Sequence, residues 1–317
     1  METPIKDFEP AYLRTYREGL FPKKIEKALQ ILEKCTLCPR GCGVNRLKGE
    51  KGNCRAGHLP EVSSYSPHFG EESPLVGRHG SGTIFLTHCN LRCLFCQNYS
   101  ISHRGEGQEV SFERLAGMMV ELQRLGCHNI NFVSPTHYVP QIVKALPLAI
   151  AKGLSVPLVY NTGGYDAVET LKLLDGVIDI YMPDFKFSKS AVAQEYANAP
   201  DYPEKAKAAF REMHCQVGDL VFDAKGIALR GMLVRHLVLP RGLAGTQEVM
   251  RFLASEISAD TYVNIMDQYH PCGKIRASSP LGRTITRAEY DEAVKAAQEE
   301  GIHRLDRKQK FALLWKY

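Results

Sequence analysis

Seven of the ten cysteines in this 317-residue chain fall into two tight groups. Cys89, Cys93 and Cys96 follow a Cys-x3-Cys-x2-Cys spacing, short enough for one loop to wrap three corners of an iron–sulfur cube. No fourth cysteine lies in the same stretch, so a [4Fe–4S] cluster there keeps one iron free of protein ligands and open to a substrate or cofactor. A structural zinc would need a fourth local donor, and His88, adjacent to Cys89, is poorly spaced to be one. The second group, Cys35, Cys38, Cys42 and Cys54, sits among Gly41, Gly43, Gly49, Gly52 and Gly57. Four thiolates make a closed site, which a structural zinc and an auxiliary [4Fe–4S] cluster fit equally well.

From Gly82 onward, short β-rich runs alternate with helical stretches, the pattern of consecutive βα units. Strands are expected over residues 83–87, 129–133, 156–160, 177–182, 233–239 and 262–266. Helices are expected over 112–125, 139–152, 165–174, 203–215 and 246–256, with a short basic one over 23–34. The fold class is therefore α/β: a partial (β/α)6 TIM-like barrel with a small Cys-rich N-terminal module. The expected division is residues 1–75 for the N-terminal extension, 76–275 for the barrel and 276–317 for a C-terminal helical extension.

Such barrels carry their chemistry at the C-terminal strand ends, and the first cysteine motif directly follows the first expected strand. Asn161 and Thr162 close the third strand ahead of Gly163 and Gly164, whose missing side chains allow close backbone approach. Strand alternation sends Met182, Asp184 and Lys186 at the fourth strand end to one face. Arg235 and His236 lie on the fifth strand with expected barrel-facing character, and a buried arginine there needs an anionic partner. His270 ends the sixth, two residues before Cys272. Cys127 and Cys215 read as packing residues, His137 and Tyr138 as facing the cavity, and Lys23, Lys24 and Lys27 as a solvated face.

Lys and Arg number 40 against 35 Asp and Glu, a net +5 too diffuse for a nucleic-acid or membrane surface. With acidic residues near its start, no secretory-type stretch and no apolar span, the chain is expected in the cytoplasm, where ten cysteines point to metal or redox chemistry over disulfides.

The cysteine motif, with Phe95 before its last cysteine, resembles the signature of radical S-adenosylmethionine (SAM) enzymes. That resemblance implies a [4Fe–4S] cluster on Cys89, Cys93 and Cys96, SAM on the fourth iron, reductive cleavage to a 5′-deoxyadenosyl radical, and an electron donor such as flavodoxin or ferredoxin. Thr162 and the Met182-x-Asp184-x-Lys186 run resemble SAM-binding positions of the activating enzymes of glycyl radical enzymes, and Arg235 and His270 fall at the corresponding strand ends. Asn161 stands where those enzymes carry an acidic residue, and lacks the charge to hold a cation. The N-terminal cysteine stretch, with His68-Phe69-Gly70-Glu71-Glu72 and Gly80-Ser81-Gly82-Thr83, resembles uncharacterised radical SAM proteins similar to pyruvate formate-lyase activating enzyme. The implied reaction is hydrogen abstraction from a glycine of a partner protein. Alternatives are modification of a peptide or small molecule, and an iron–sulfur electron-transfer protein without SAM chemistry, which would bind each cluster through a full set of protein ligands.

Overall fold

Runs rich in Ile, Val, Phe and Tyr form the strands of a nine-stranded sheet in the computed structural model, which describes residues 8–306. Residues 1–7 of the N-terminal stretch and 307–317 of the C-terminal extension lie outside the described residues. The strands are β1 (Glu61–His68), β2 (Ser81–Leu86), β3 (Gln108–Glu109), β4 (Ile130–Val133), β5 (Leu158–Thr162), β6 (Ile180–Pro183), β7 (Val221–Phe222), β8 (Ala228–Leu237) and β9 (Tyr262–Met266). Their order is β3-β1-β2-β4-β5-β6-β8-β7, with β9 also on β8. From β2 through β4, β5, β6 and β8 to β9 every pairing is parallel, which is the incomplete barrel.

The helices are α1 (Ala11–Arg17), α2 (Phe21–Glu33), α3 (Ser73–Val76), α4 (Phe112–Arg124), α5 (Val139–Ala151), α6 (Val168–Leu173), α7 (Ser190–Ala197), α8 (Tyr202–Val217), α9 (Thr246–Phe252) and α10 (Arg287–Glu299). Most expected elements appear within a few residues. The expected helix over 246–256 is α9 followed by a π-turn over Leu253–Ile257. β1 was not expected: its Ser-rich run lacks a clean apolar alternation and contains Pro67, yet it pairs antiparallel with β2 and with β3.

Two apolar layers hold the barrel. Phe132, Tyr160, Tyr181 and Val234 join the main core that includes the helices, whereas Val159, Ile180, Met182 and Leu233 pack together with Leu75 of α3. α3 thus plugs the barrel's interior, and it is short because Ser73-Pro74 opens it and Gly77 ends it.

Three side-chain expectations need correction. Cys215 is exposed on α8, in contrast to buried Cys127. Lys24 is only partly solvated, since its Nζ donates to the carbonyls of Leu173 (2.9 Å) and Asp175 (2.8 Å) past the end of α6. His236 is buried on the face opposite Arg235, bonded to the Phe185 carbonyl (2.7 Å) and Thr246 Oγ1 (2.9 Å), and burial lowers its pKa to about 4.

Asp179, just before β6, ties the N-terminal helix to the sheet. Its Oδ1 accepts from the Ala11 amide (2.7 Å) and its Oδ2 from the Leu158 amide (3.0 Å), while burial raises its pKa to about 7. An asparagine has only one side-chain acceptor atom, so Asp179→Asn orphans one buried N–H. Urea unfolding of this variant should show a loss of roughly 1–3 kcal/mol; an unchanged midpoint and slope would contradict the anchoring role.

Candidate active site

The loop after β2 is tightly bent, with positive φ at His88 (65°) and Arg92 (56°), a region that non-glycine residues enter only when their surroundings hold them there. It carries Cys89, Cys93 and Cys96. The Leu91 amide donates to Cys89 Sγ (3.4 Å) and the Ser102 hydroxyl to Cys96 Sγ (3.1 Å), contacts that favour thiolate sulfur. Burial raises the pKa of the Cys89 and Cys93 thiols, and the Lys186 ammonium opposes that at both. His88 turns away to Glu61 (3.1 Å). Phe95 lies beneath the loop in edge contacts with Phe187, Tyr196 and Tyr269. Across the loop, Cys272 Sγ meets the Phe95 carbonyl (3.1 Å) and the Lys274 amide donates to the Leu94 carbonyl (2.7 Å).

Among the described residues, no three His, Cys, Asp or Glu side chains converge as they would on a single metal ion. An iron–sulfur cube makes a different demand, because each thiolate ligates its own iron. Three thiols on one loop, with hydrogen-bond donors directed at two of them and no fourth cysteine in that loop, fit such a cluster with one open iron.

Lys186 links this loop to the barrel interior. Its Nζ lies 2.5 Å from Asp184 Oδ2, Asp184 Oδ1 accepts from Arg235 Nε (2.7 Å), and Arg235 Nη2 donates to Asn161 Oδ1 (2.6 Å). Burial opposes ionisation of Asp184, yet Arg235 and Lys186 hold its pKa below the usual carboxylate value. Beyond Arg235 lies Glu71 (3.6 Å), and Glu72 accepts from Asn264 Nδ2 (2.8 Å). Tyr202 fixes the backbone here, donating to the carbonyl of Gly163 (3.0 Å) or Asp184 (2.8 Å) while accepting from the Lys186 amide (2.8 Å). Gly164 is required at φ +77°, where a Cβ would stand 2.4 Å from the Asp184 carbonyl.

The structure thus gathers Asn161, Asp184, Lys186 and Arg235. Met182 lies in the apolar layer below them. Thr162 turns to Asp166, donating to Oδ2 (2.6 Å), while Thr136 (2.7 Å) and Tyr160 (2.9 Å) donate to Oδ1. His270 is exposed, near the Gln268 carbonyl, and stands apart from this group. Sequence reasoning missed Asp166, a lone acidic residue past the strand end, and gave no role to Glu71 and Glu72.

The second cysteine group lines a small cavity with Arg46 and His137. Burial pushes the Cys38 thiol up to about 12. Gly52 is needed there, since a Cβ would come within 2.9 Å of Cys42 Sγ. His137 Nε2 must donate to the Thr87 carbonyl (2.8 Å), which leaves Nδ1 a bare, buried and unpartnered acceptor. Arg40 clasps this module to the first cysteine loop through the carbonyls of Asn90 (3.0 Å), Leu91 (3.2 Å) and Ala197 (2.9 Å).

Residues 83–216 match the sequence pattern of the radical SAM superfamily. The chain is 30% identical to the uncharacterized protein MJ0674 of Methanocaldococcus jannaschii over 302 residues, 92% of this chain and 82% of that relative. Among solved structures it is similar to HydG, a maturase of the [FeFe]-hydrogenase, at 11% identity and a TM-score of 0.49; the match covers 70% of this chain and 49% of that one.

Replacing Arg235 by leucine would leave Asp184 and Glu71 with far less compensation in a buried setting. Such broken pairs cost roughly 3–5 kcal/mol. Denaturant unfolding of Arg235→Leu should show a loss of that order, and a loss near zero would mean the carboxylates do not depend on this guanidinium.

Proposed function

We propose that this chain, whose residues 83–216 match the radical SAM superfamily, binds a [4Fe–4S] cluster through Cys89, Cys93 and Cys96 and cleaves SAM reductively beside the Asp184–Lys186–Arg235 network. The observation that carries this reading is the position of Lys186: its ammonium pairs with Asp184 and also acts electrostatically on Cys93. A bound, reduced cluster with an open iron would supply one electron for cleavage of SAM to methionine and a 5′-deoxyadenosyl radical, which could remove a hydrogen atom from a substrate.

The chain's own residues bind and orient. The hydrogen bonds from Leu91 and Ser102 favour thiolate at Cys89 and Cys96, while Phe95 supports the loop from within the core. Asp184 retains acceptor capacity beyond its two ion pairs, and with Asn161 it is suited to receive the amino group of a methionyl moiety. Lys186 and Arg235 keep Asp184 ionised for that task. Thr162, committed to Asp166, supports the strand end, and exposed His270 is left out of the assignment.

A cavity of about 910 Å³ beside Arg235 is within the size range of small-molecule sites, which favours a small substrate over a polypeptide loop carrying a glycine. The four N-terminal cysteines line one cavity, held against the first loop by Arg40, and are suited to an iron–sulfur cluster in which each thiolate takes its own iron; zinc would require them to converge further on a single ion. Such a cluster could pass electrons from a flavodoxin- or ferredoxin-type donor. Among the described residues, no helix is long and apolar enough to cross a membrane.

Under anaerobic conditions with SAM and a strong reductant, the reconstituted protein should form 5′-deoxyadenosine, and alanine at Cys89, Cys93 or Cys96 should abolish it. Wild-type formation by any one of these variants contradicts the assignment. Elemental analysis of a variant lacking all three should still find zinc or iron on the N-terminal cysteines; finding neither would leave those as unliganded thiols.

A further inference from the structure

A cavity of about 910 Å³ lies along β9, between Asn264, Met266 and Gln268 on one side and the segment from Phe69 to Gly77 on the other. Its chemistry is unbalanced. The buried carboxylates Glu71 and Glu72 on its lining share the Arg235 guanidinium, which is already bound at 2.7 Å to Asp184, while Lys225 is exposed. Glu72 is only 5% exposed, and its Oε2 has no hydrogen-bond partner although its Oε1 accepts from Asn264. Burying a carboxylate oxygen without a hydrogen-bond partner is costly, and the one cation that offsets Glu72, Arg235, is shared with Asp184 and Glu71. Behind Glu71, the fully buried Asn131 side chain faces its carboxyl group from β4.

Two kinds of cation could answer this. A metal ion would need several converging ligands, and no three such side chains converge among the described residues. An organic cation needs only one or two carboxylates and room for its body, which about 910 Å³ provides.

We propose that this cavity is the substrate site and that it takes a small molecule bearing a primary ammonium group, received by Glu72 and Glu71. The inference rests on the radical SAM reading only in calling the occupant a substrate. The groups facing Glu71 are Arg235 from β8, Asp184 after β6, Asn131 from β4 and Glu72 beside it, while Glu72 also faces Asn264 and Asp306. Burial raises Glu71 to about 7, with Arg235 opposing the shift. A bound cation favours the ionised carboxylate, so affinity should increase as pH rises from 6 to 8.

The test is ligand-observed NMR titration of the full chain with n-butylamine, 1-butanol and butyrate, probes of like size that differ in charge. Wild type should bind butylamine at least tenfold more tightly than either of the others, more tightly at pH 8 than at pH 6, and Glu72→Gln should reduce that preference at least fivefold. Equal binding of the three, a preference for butyrate, or no binding overturns the proposal without recourse to the variant. Tighter binding of a capped Gly-Lys-Gly peptide than of butylamine overturns the small-molecule assignment. Since the titration needs no SAM cleavage, the two readings fail separately. Amine binding without 5′-deoxyadenosine formation sinks the radical SAM reaction, and cleavage without amine selectivity sinks this inference.

Discussion

Asp184 is an ionised carboxylate in a place where water cannot stabilise it, and much of the site follows from how the chain meets that demand. One oxygen takes Lys186 and the other Arg235, so two cations from different strand ends meet on one anion. Each cation also serves another group. Lys186 lies within electrostatic reach of Cys93, and Arg235 bonds Asn161 and approaches Glu71. A continuous polar path therefore runs from the cysteine loop through the barrel interior to the cavity along β9.

That path exists because strand register puts its members level. Asp184 forms a parallel bridge with Arg235, and Arg235 pairs with Asn264. Below this polar level, Val159, Ile180, Met182 and Leu233 close over Leu75, so the barrel interior is apolar at one level and ionic at the next. Burial both demands the ion pairs and strengthens them. The N-terminal cysteine module abuts the loop, where Arg40 bonds the carbonyls of Asn90 and Leu91.

Much of this was legible in the sequence where the signal is local. The Cys-x3-Cys-x2-Cys spacing specified a single loop, and strand alternation correctly joined Asp184 and Lys186 while requiring an anion for Arg235. Nonlocal features were hidden. Glu72 finds Asn264 across 192 positions, and nothing around residue 72 announces it. β1 is stabilised by its neighbours in the sheet, which overrode a serine-rich run with a proline. His270 follows β9 as expected, yet its backbone carries the side chain out to solvent, a direction that sequence position alone does not determine.

The central claim is a cluster held by three cysteines and left open to SAM. Electron paramagnetic resonance of the reduced, iron-reconstituted protein tests it directly, using both wild type and a variant lacking Cys35, Cys38, Cys42 and Cys54. The account predicts that stoichiometric SAM changes the cluster signal in both proteins, because the responding iron belongs to the Cys89–Cys96 loop. A signal indifferent to SAM in wild type, or one that responds only while the N-terminal cysteines are present, would contradict it.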